Sequence, residues 1–183
     1  MDRLTILGKI DKMIEDEFYS LTANTILTLV RELNIKSFVE VGAYYGRTAE
    51  FLLNNHKFDR YFIVDIWNNQ SDGLFGASQE SIDFVRRECF KKLSEFNNVS
   101  IIQLPSTEAS NLFHPKSVDA VYIDASHEEN HVWEDIMAWH AIPRVLFFGD
   151  DYWMGSVSRS VDRIYPTVDS IENGNSSKIW IRK

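Results

Sequence analysis

Apolar positions fall into two alternating rhythms along this chain. From about residue 9 to 34 they recur at helical spacing: Ile10, Met13, Ile14, Phe18, Leu21, Ile26, Leu27 and Val30. Beyond that point, short β-branched or aromatic runs alternate with longer amphipathic stretches. The runs are 37–41, 61–64, 99–102, 118–123 and 145–148, and each reads as a strand. The intervening stretches 48–55, 81–96, 128–140 and 156–165 read as helices. In the helix over 128–140, Trp133, Ile136, Met137 and Trp139 are expected to form the core face. The tail holds two further runs, 168–171 and 178–181, around a Glu-Asn-Gly-Asn turn, the pattern of an antiparallel hairpin. Strands alternating with helices imply a parallel sheet covered on both faces. A polar, Gly-containing loop, 68–79, with Leu74 and Phe75 inside it, is expected to act as a lid.

Acids end the runs. Glu40, Asp65, Asp124 and the pair Asp150-Asp151 each sit at or beside the carboxyl end of a candidate strand. In parallel sheets that edge is where ligands bind. A single acid there is a turn residue or a cap, but acids ending four strands gather at one edge and repel one another unless a cation or donors offset them. Asp124, Asp150 and Asp151 together offer an oxygen-rich site for a hard cation such as Mg²⁺. His127, three residues past Asp124, is a candidate general base, because imidazole titrates near working pH.

The stretch Glu40-Val41-Gly42-Ala43-Tyr44-Tyr45-Gly46-Arg47-Thr48 is a strand end, a tight turn and a helix start. Its glycines are spaced G-x-x-x-G, and Tyr44 stands where a dinucleotide fingerprint needs glycine, which disfavours a nicotinamide enzyme. An acid leading into such a loop suits a ligand with an amino-acid tail and a ribose, and S-adenosylmethionine is one. Candidate contacts are Glu40, Gly42, Ala43, Tyr44, Gly46 and Thr48. Asp65 and Ile66 end the next strand, where an acid can accept ribose hydroxyls. Trp67 could stack on adenine or cap the core, and Ser106 could meet the adenine edge or cap a helix.

His127-Glu128-Glu129-Asn130-His131 matches H-E-x-x-H, so a zinc hydrolase using His127 and His131 is an alternative. A catalytically silent cofactor-binding protein is a second.

Composition bounds these readings. The 183 residues suffice for one domain, 1–183, with 1–35 as a helical segment packed on it. A net charge of −8 argues against a broad nucleic-acid footprint. No apolar run is long enough to span a bilayer and Met1–Thr5 opens no signal peptide, so a cytoplasmic protein without membrane partners is expected. Cys89, the one cysteine, lies among core-like neighbours and reads as packing rather than nucleophile. A homo-oligomer is compatible with all of this.

The chain resembles class I S-adenosylmethionine-dependent methyltransferases, in particular the metal-dependent family of macrocin O-methyltransferase. The likeness runs through VEVGAYYGRTAEFL, VDIW, LPSTEAS, VDAVYIDASHEENHVWEDIMAW, FFGDDYW, SVSRSVDRIY and IENGNSSKIWIRK. It implies an α/β, Rossmann-like three-layer sandwich with a seven-stranded, mostly parallel sheet and an antiparallel last strand. It implies O-methyl transfer to a small-molecule hydroxyl, a sugar diol or catechol-like acceptor. Asp124, Asp150 and Asp151 would be the metal ligands, with Asp124 and His127 catalytic and Gly42, Gly46 and Asp65 on the cofactor. Two departures stand out. Ile142-Pro143-Arg144-Val145 replaces a Gly-Gly turn, and Ser126 replaces a second acid that many relatives carry, so proton abstraction falls to His127.

Overall fold

The structure, a computed structural model, describes residues 17–68, 78–172 and 178–182. Ile10, Met13 and Ile14, the Leu74-Phe75 part of the expected lid, and the turn after Glu172 lie outside the described residues.

Helix α1 (Glu17–Glu32) leads into strand β1 (Ser37–Val41), helix α2 (Arg47–Asn55) and strand β2 (Arg60–Val64). Helix α3 (Gln79–Leu93), strand β3 (Val99–Ile102) and the one-turn helix α4 (Ser106–Ala109) follow. Strand β4 (Val118–Ile123), helix α5 (Glu129–Trp139), strand β5 (Pro143–Gly149) and helix α6 (Gly155–Ile164) come next. Strands β6 (Val168–Glu172) and β7 (Lys178–Arg182) complete the chain. The strand order is β3-β2-β1-β4-β5-β7-β6, with β7 antiparallel to both its neighbours and the β3-to-β5 block parallel. Every strand expected from the sequence is present.

The two faces of the sheet follow the two-residue alternation of a strand. Phe38, Tyr61, Ile63, Tyr122 and Phe148 pack with residues of α1, α2 and α3, including Ile26, Val30, Leu52 and Cys89. Val39, Val41, Val121, Ile123 and Phe147 pack on the other face with residues of α5 and α6, including Ile136, Trp139 and Val161. The result is three layers. The buried stripe of α5 is Val132, Asp135, Ile136 and Trp139. This corrects the expected face, because Met137 is 42% exposed and Trp133 is only half-buried, under the Arg163 guanidinium. The 3.6-residue period starting from Val132 excludes both. Cys89 is fully buried, and burial pushes its thiol pKa up to about 12, consistent with packing rather than nucleophilic work.

At the amino ends of the strands a buried acid ties three segments together. Asp119 Oδ2 accepts from the backbone N–H of Lys36 and of Ser37 and from the Ser37 hydroxyl, at 2.8, 2.8 and 3.0 Å. Its Oδ1 accepts from Arg144 Nε at 2.5 Å, next to an irregularity in the β4–β5 register. Burial works against ionisation, but these donors outweigh it and hold the carboxyl below its ordinary range. Asp119→Ala would leave those donors unpaired and is expected to cost about 2–4 kcal/mol, read as a drop in the unfolding midpoint. The clamp is present above the ordinary aspartate pKa and is lost as pH falls through the lowered folded value. The destabilisation by Asp119→Ala should therefore shrink in acid, and an unchanged penalty at pH 3 would refute this account.

Candidate active site

The strand order reverses between β1 and β4, and such a switch point is where open α/β sheets bind ligands. Here the two carboxyl ends touch. Asp124 N–H donates to Val41 O at 2.8 Å, and a Cβ added to Gly42 would lie 2.0 Å from the Asp124 carbonyl oxygen. Gly42 has φ +88°, so the chain turns off β1 in a conformation that glycine adopts without a steric penalty. Gly46 (φ +73°) caps α2. The space it leaves is used by Cys89, whose Sγ would lie 2.7 Å from an added Cβ, so this glycine admits helix α3.

Asp65 organises the loop between the glycines. Its Oδ2 accepts from Ala43 N and Tyr44 N at 2.9 and 2.8 Å, and its Oδ1 from Trp67 N at 2.8 Å. Burial raises its pKa, and the backbone donors of Tyr44, Trp67, Ala43 and Ile66 oppose the rise. Its carboxylate is thus largely spent on the protein. Holding a ribose through both oxygens would require some of these bonds to open. Tyr44 and Trp67 both have positive φ, +49° and +45°, backbone strain of the kind that concentrates at functional sites. Trp67 is buried, meets Phe90 edge-on and donates Nε1–H to Tyr44 O, so it caps the core. Ser106 is inside the first turn of α4, which Pro105 caps, and its hydroxyl accepts the Trp139 indole N–H at 2.8 Å. Ile66 follows Asp65 beyond the end of β2, and Thr48 is buried in the first turn of α2.

Glu40 bonds across to β2. It is buried and accepts from the Tyr61 hydroxyl at 2.6 Å. Burial lifts its pKa from 4.5 to about 8, against the Tyr61 bond and with help from Asp65. The folded protein therefore keeps this proton up to about pH 8, whereas the unfolded chain sheds it near 4.5, so stability falls as pH rises across that window. In Glu40→Gln the decline should flatten. An unchanged slope of midpoint against pH between 5 and 8 would show that another group sets it.

On the β4–β5 side, ligand atoms of Asp124, His127 and Asp151 all lie within 4.8 Å of one another. His127 Nε2 is 2.6 Å from Asp151 Oδ2. Asp151 Oδ1 accepts the Trp153 indole N–H at 2.9 Å, and Asp151 itself has φ +56°. Asp150 lies beside this cluster: its Oδ1 accepts the Asp151 N–H at 2.8 Å and its Oδ2 faces Tyr122 Oη at 3.4 Å. Tyr122 Oη also reaches Asp124 Oδ2 at 3.2 Å. Burial, then Asp150 and Asp151, push the Asp124 pKa well above its ordinary value, with His127 opposing. A divalent cation would relieve this crowding of acids, and two carboxylates with an imidazole are a chemically suitable donor set. Tyr122 and Trp153 were not singled out from the sequence. Tyr122 looks like one more strand aromatic there, and only the alternation that places residue 122 two before an acid hints at its role.

The H-E-x-x-H segment does not make a zinc-protease helix. Glu128 is the extended N-cap of α5, so His127 lies before the helix, and the two histidines do not share a helical face. His127 meets Asp151, whereas His131 Nδ1 is 3.2 Å from Ser126 Oγ on the exposed side.

Among the described residues no helix is long and apolar enough to cross a membrane. A family model described as a methyltransferase domain matches residues 39–152, from inside β1 to the residue after Asp151. No curated protein matches the chain in sequence. Among solved structures, one from Staphylococcus aureus, provisionally named a caffeoyl-CoA O-methyltransferase, superposes with a TM-score of 0.68 at 14% identity over 100% of this chain and 93% of that one. An O-methyltransferase from Bacillus cereus in complex with SAH gives 0.61 at 15% identity, over 88% of this chain and 80% of the other. A spermidine synthase in complex with the transition-state analogue AdoDATO gives 0.62 at 15% identity over 92% of this chain. This chain spans only 62% of that synthase. At such identities the likeness is one of fold.

Proposed function

The chain belongs to the methyltransferase-domain family, and from that premise we propose that it is an O-methyltransferase. It would carry a methyl group from S-adenosylmethionine to a hydroxyl of a small molecule bearing two neighbouring oxygens, such as a sugar diol or a catechol. The observation that carries this reading is the meeting of two sites at the switch point. The glycine turn after β1 touches the backbone of Asp124, which leads into the Asp124–His127–Asp151 cluster.

In this reading, residues 42–46 with Asp65 and Ile66 form the cofactor cradle. Backbone N–H groups of Ala43 and Tyr44, fastened to Asp65, keep the loop in the strained shape that follows Gly42. Asp124 and Asp151 would hold a Mg²⁺ ion, with Asp150 behind them bonded to the Asp151 N–H and Tyr122. Bound there, the ion would supply positive charge that lowers the pKa of an acceptor hydroxyl and orients it. His127 takes that proton. The 2.6 Å contact to Asp151 Oδ2 would orient the ring, and a tautomer that donates from Nε2 leaves Nδ1 as the basic nitrogen. Ser126 cannot serve as base, because a hydroxyl does not ionise at neutral pH.

Calorimetric titration of S-adenosylhomocysteine into metal-stripped protein, repeated with Mg²⁺ and with Zn²⁺, tests the proposal. The expected result is saturable S-adenosylhomocysteine binding in each case and separate heat from Mg²⁺. Absence of S-adenosylhomocysteine binding under all three conditions would sink the methyl-transfer reading. Binding without turnover on any diol, catechol or other hydroxyl acceptor would favour a silent cofactor-binding protein.

A further inference from the structure

One helix is bonded to both sides of the His127–Asp151 contact. Helix α6 runs beside α5 in the same direction. Arg159 Nε lies 2.8 Å from Glu129 Oε2, and one turn on the Arg163 guanidinium sits 5.3 Å from the centre of the Trp133 ring. The step is four residues on each helix, so one face of α5 is in register with one face of α6. Between these contacts the buried Ser160 hydroxyl donates to Glu129 O at 2.6 Å, while its second acceptor, Ser156 O of its own helix, is farther away at 3.1 Å. Glu129 is the first residue of α5 and stands two residues after His127.

The same helix reaches the other side. Asp162 Oδ1 accepts the Tyr152 hydroxyl at 2.5 Å, and Tyr152 directly follows Asp151. Asp151 has φ +56°. A residue other than glycine keeps such a backbone only where its surroundings impose it. Met154 N–H donates to Asp151 O at 2.8 Å, Tyr152 N–H donates to Lys178 O of β7 at 2.9 Å, and Asp162 fixes the Tyr152 side chain. His127 and Asp151 lie on separate loops, after β4 and after β5, yet Nε2 and Oδ2 are 2.6 Å apart. A contact between two loops keeps its length when both are tied to one rigid body. Helix α6 is bonded to both.

We infer that Ser160 and Asp162 of α6 are positioning residues, which act through Glu129 and Tyr152 to set the spacing between His127 and Asp151. The chemical roles of that pair rest on the methyl-transfer reading above, whereas the frame rests on the bonds to α6. Asp162 acts through Tyr152 on the Asp151 carboxylate, and so on cation binding. Ser160 acts through the start of α5 on the His127 ring, and so on proton transfer. Partners that orient a ligand from behind are worth about 10–100-fold in metal affinity or activity.

The ring-nitrogen NMR shifts of His127 in metal-free protein at one fixed pH test the frame without turnover. His127→Ala assigns the signals, and Asp151→Ala marks the position of the unpaired ring. Tyr152→Phe, Asp162→Ala and Ser160→Ala should each move the signals from the wild-type position toward that mark, with thermal unfolding as a check on folding. Tyr152→Phe and Asp162→Ala should also weaken Mg²⁺ about tenfold by calorimetry, and the double variant should lose no more than either single one. Asp162→Asn keeps an acceptor for the phenol and should recover most of the loss. Ser160→Ala should keep Mg²⁺ affinity largely intact and lower turnover about tenfold. Wild-type His127 signals in both Asp162→Ala and Ser160→Ala overturn the frame. So does a loss in Asp162→Asn as large as in Asp162→Ala, because charge rather than the hydrogen bond would then be at work. Wild-type signals that coincide with the Asp151→Ala mark also overturn it, since the contact would not exist in solution. Protein that shows the expected shifts but binds neither S-adenosylhomocysteine nor Mg²⁺ upholds the frame and removes the methyl-transfer reading.

Discussion

Asp124→Asn is expected to reduce methyl transfer on the order of a thousandfold, while S-adenosylhomocysteine affinity changes only a few-fold. The side chain keeps its size, so the loss reports charge. Asp124 supplies one of the two carboxylates in the Asp124–His127–Asp151 cluster, and removing it should abolish the heat of Mg²⁺ binding. Stability should move the other way. Asp124 is half-buried beside Asp150 and Asp151, and its raised pKa expresses first the loss of solvent and then the repulsion of these neighbours. An amide carries no charge and can donate to a neighbouring carboxylate, so the unfolding midpoint should rise in metal-free protein. Activity down with stability up is the signature of a site whose acids are kept for function at the expense of the fold. Wild-type turnover in this variant would remove Asp124 from the mechanism. His127→Ala separates the base from the metal: a loss of about 10²–10⁴ in turnover, with Mg²⁺ heat and S-adenosylhomocysteine binding largely retained, fits a general base. Abolished Mg²⁺ heat would make His127 a ligand instead.

Gly42→Ala is expected to be the most destabilising single change at the site. Its new Cβ would lie 2.0 Å from the Asp124 carbonyl oxygen and 2.6 Å from Ala125 Cα. Both are backbone atoms at the end of β4, held by the Asp124 N–H bond to Val41 O, so neither can yield cheaply. The +88° φ adds a conformational cost of about 1–2 kcal/mol, and forced overpacking adds about 1–3. In a domain of this length each kcal/mol lowers the midpoint by roughly 2–4 °C. The variant should therefore unfold noticeably earlier and lose S-adenosylhomocysteine binding. Gly46→Ala provides the contrast. Its φ of +73° is also costly, but the atom in the way is the Cys89 sulfur 2.7 Å off, a side chain that can be shortened. Gly46→Ala with Cys89→Ala should recover the steric part of the loss and keep the backbone part. Equal midpoints for Gly42→Ala and wild type would show that the β1–β4 junction opens more readily than its contacts imply.

Much of the architecture was legible in the chain itself. The two-residue and 3.6-residue periods located the seven strands and the helices between them, because burial on a sheet face or a helix stripe leaves a direct imprint on apolar spacing. The acids at the strand ends were legible too, since parallel connectivity puts those ends on one edge whatever their distance in sequence. Periodicity was weakest in α5, where Trp133 and Met137 are apolar yet lie off the buried stripe. Hydrophobicity alone does not fix the phase of a short helix.

Side-chain partnerships were decided in three dimensions. That Asp65 spends its carboxylate on the Ala43, Tyr44 and Trp67 N–H groups depends on how two loops lie together. That His127 stands with Asp124 and Asp151 while Asp150 turns to Tyr122 depends on the left-handed turn at Asp151. The clamp of Asp119 joins it to Lys36 and Ser37, 83 and 82 positions away, and to Arg144. The sequence by itself determined the layers, the strand edge and the kinds of chemical group gathered there, because these follow from periodicity and connectivity. Only the tertiary structure decided which group meets which, because a hydrogen bond or ion pair depends on ångström-scale placement that residue spacing does not encode.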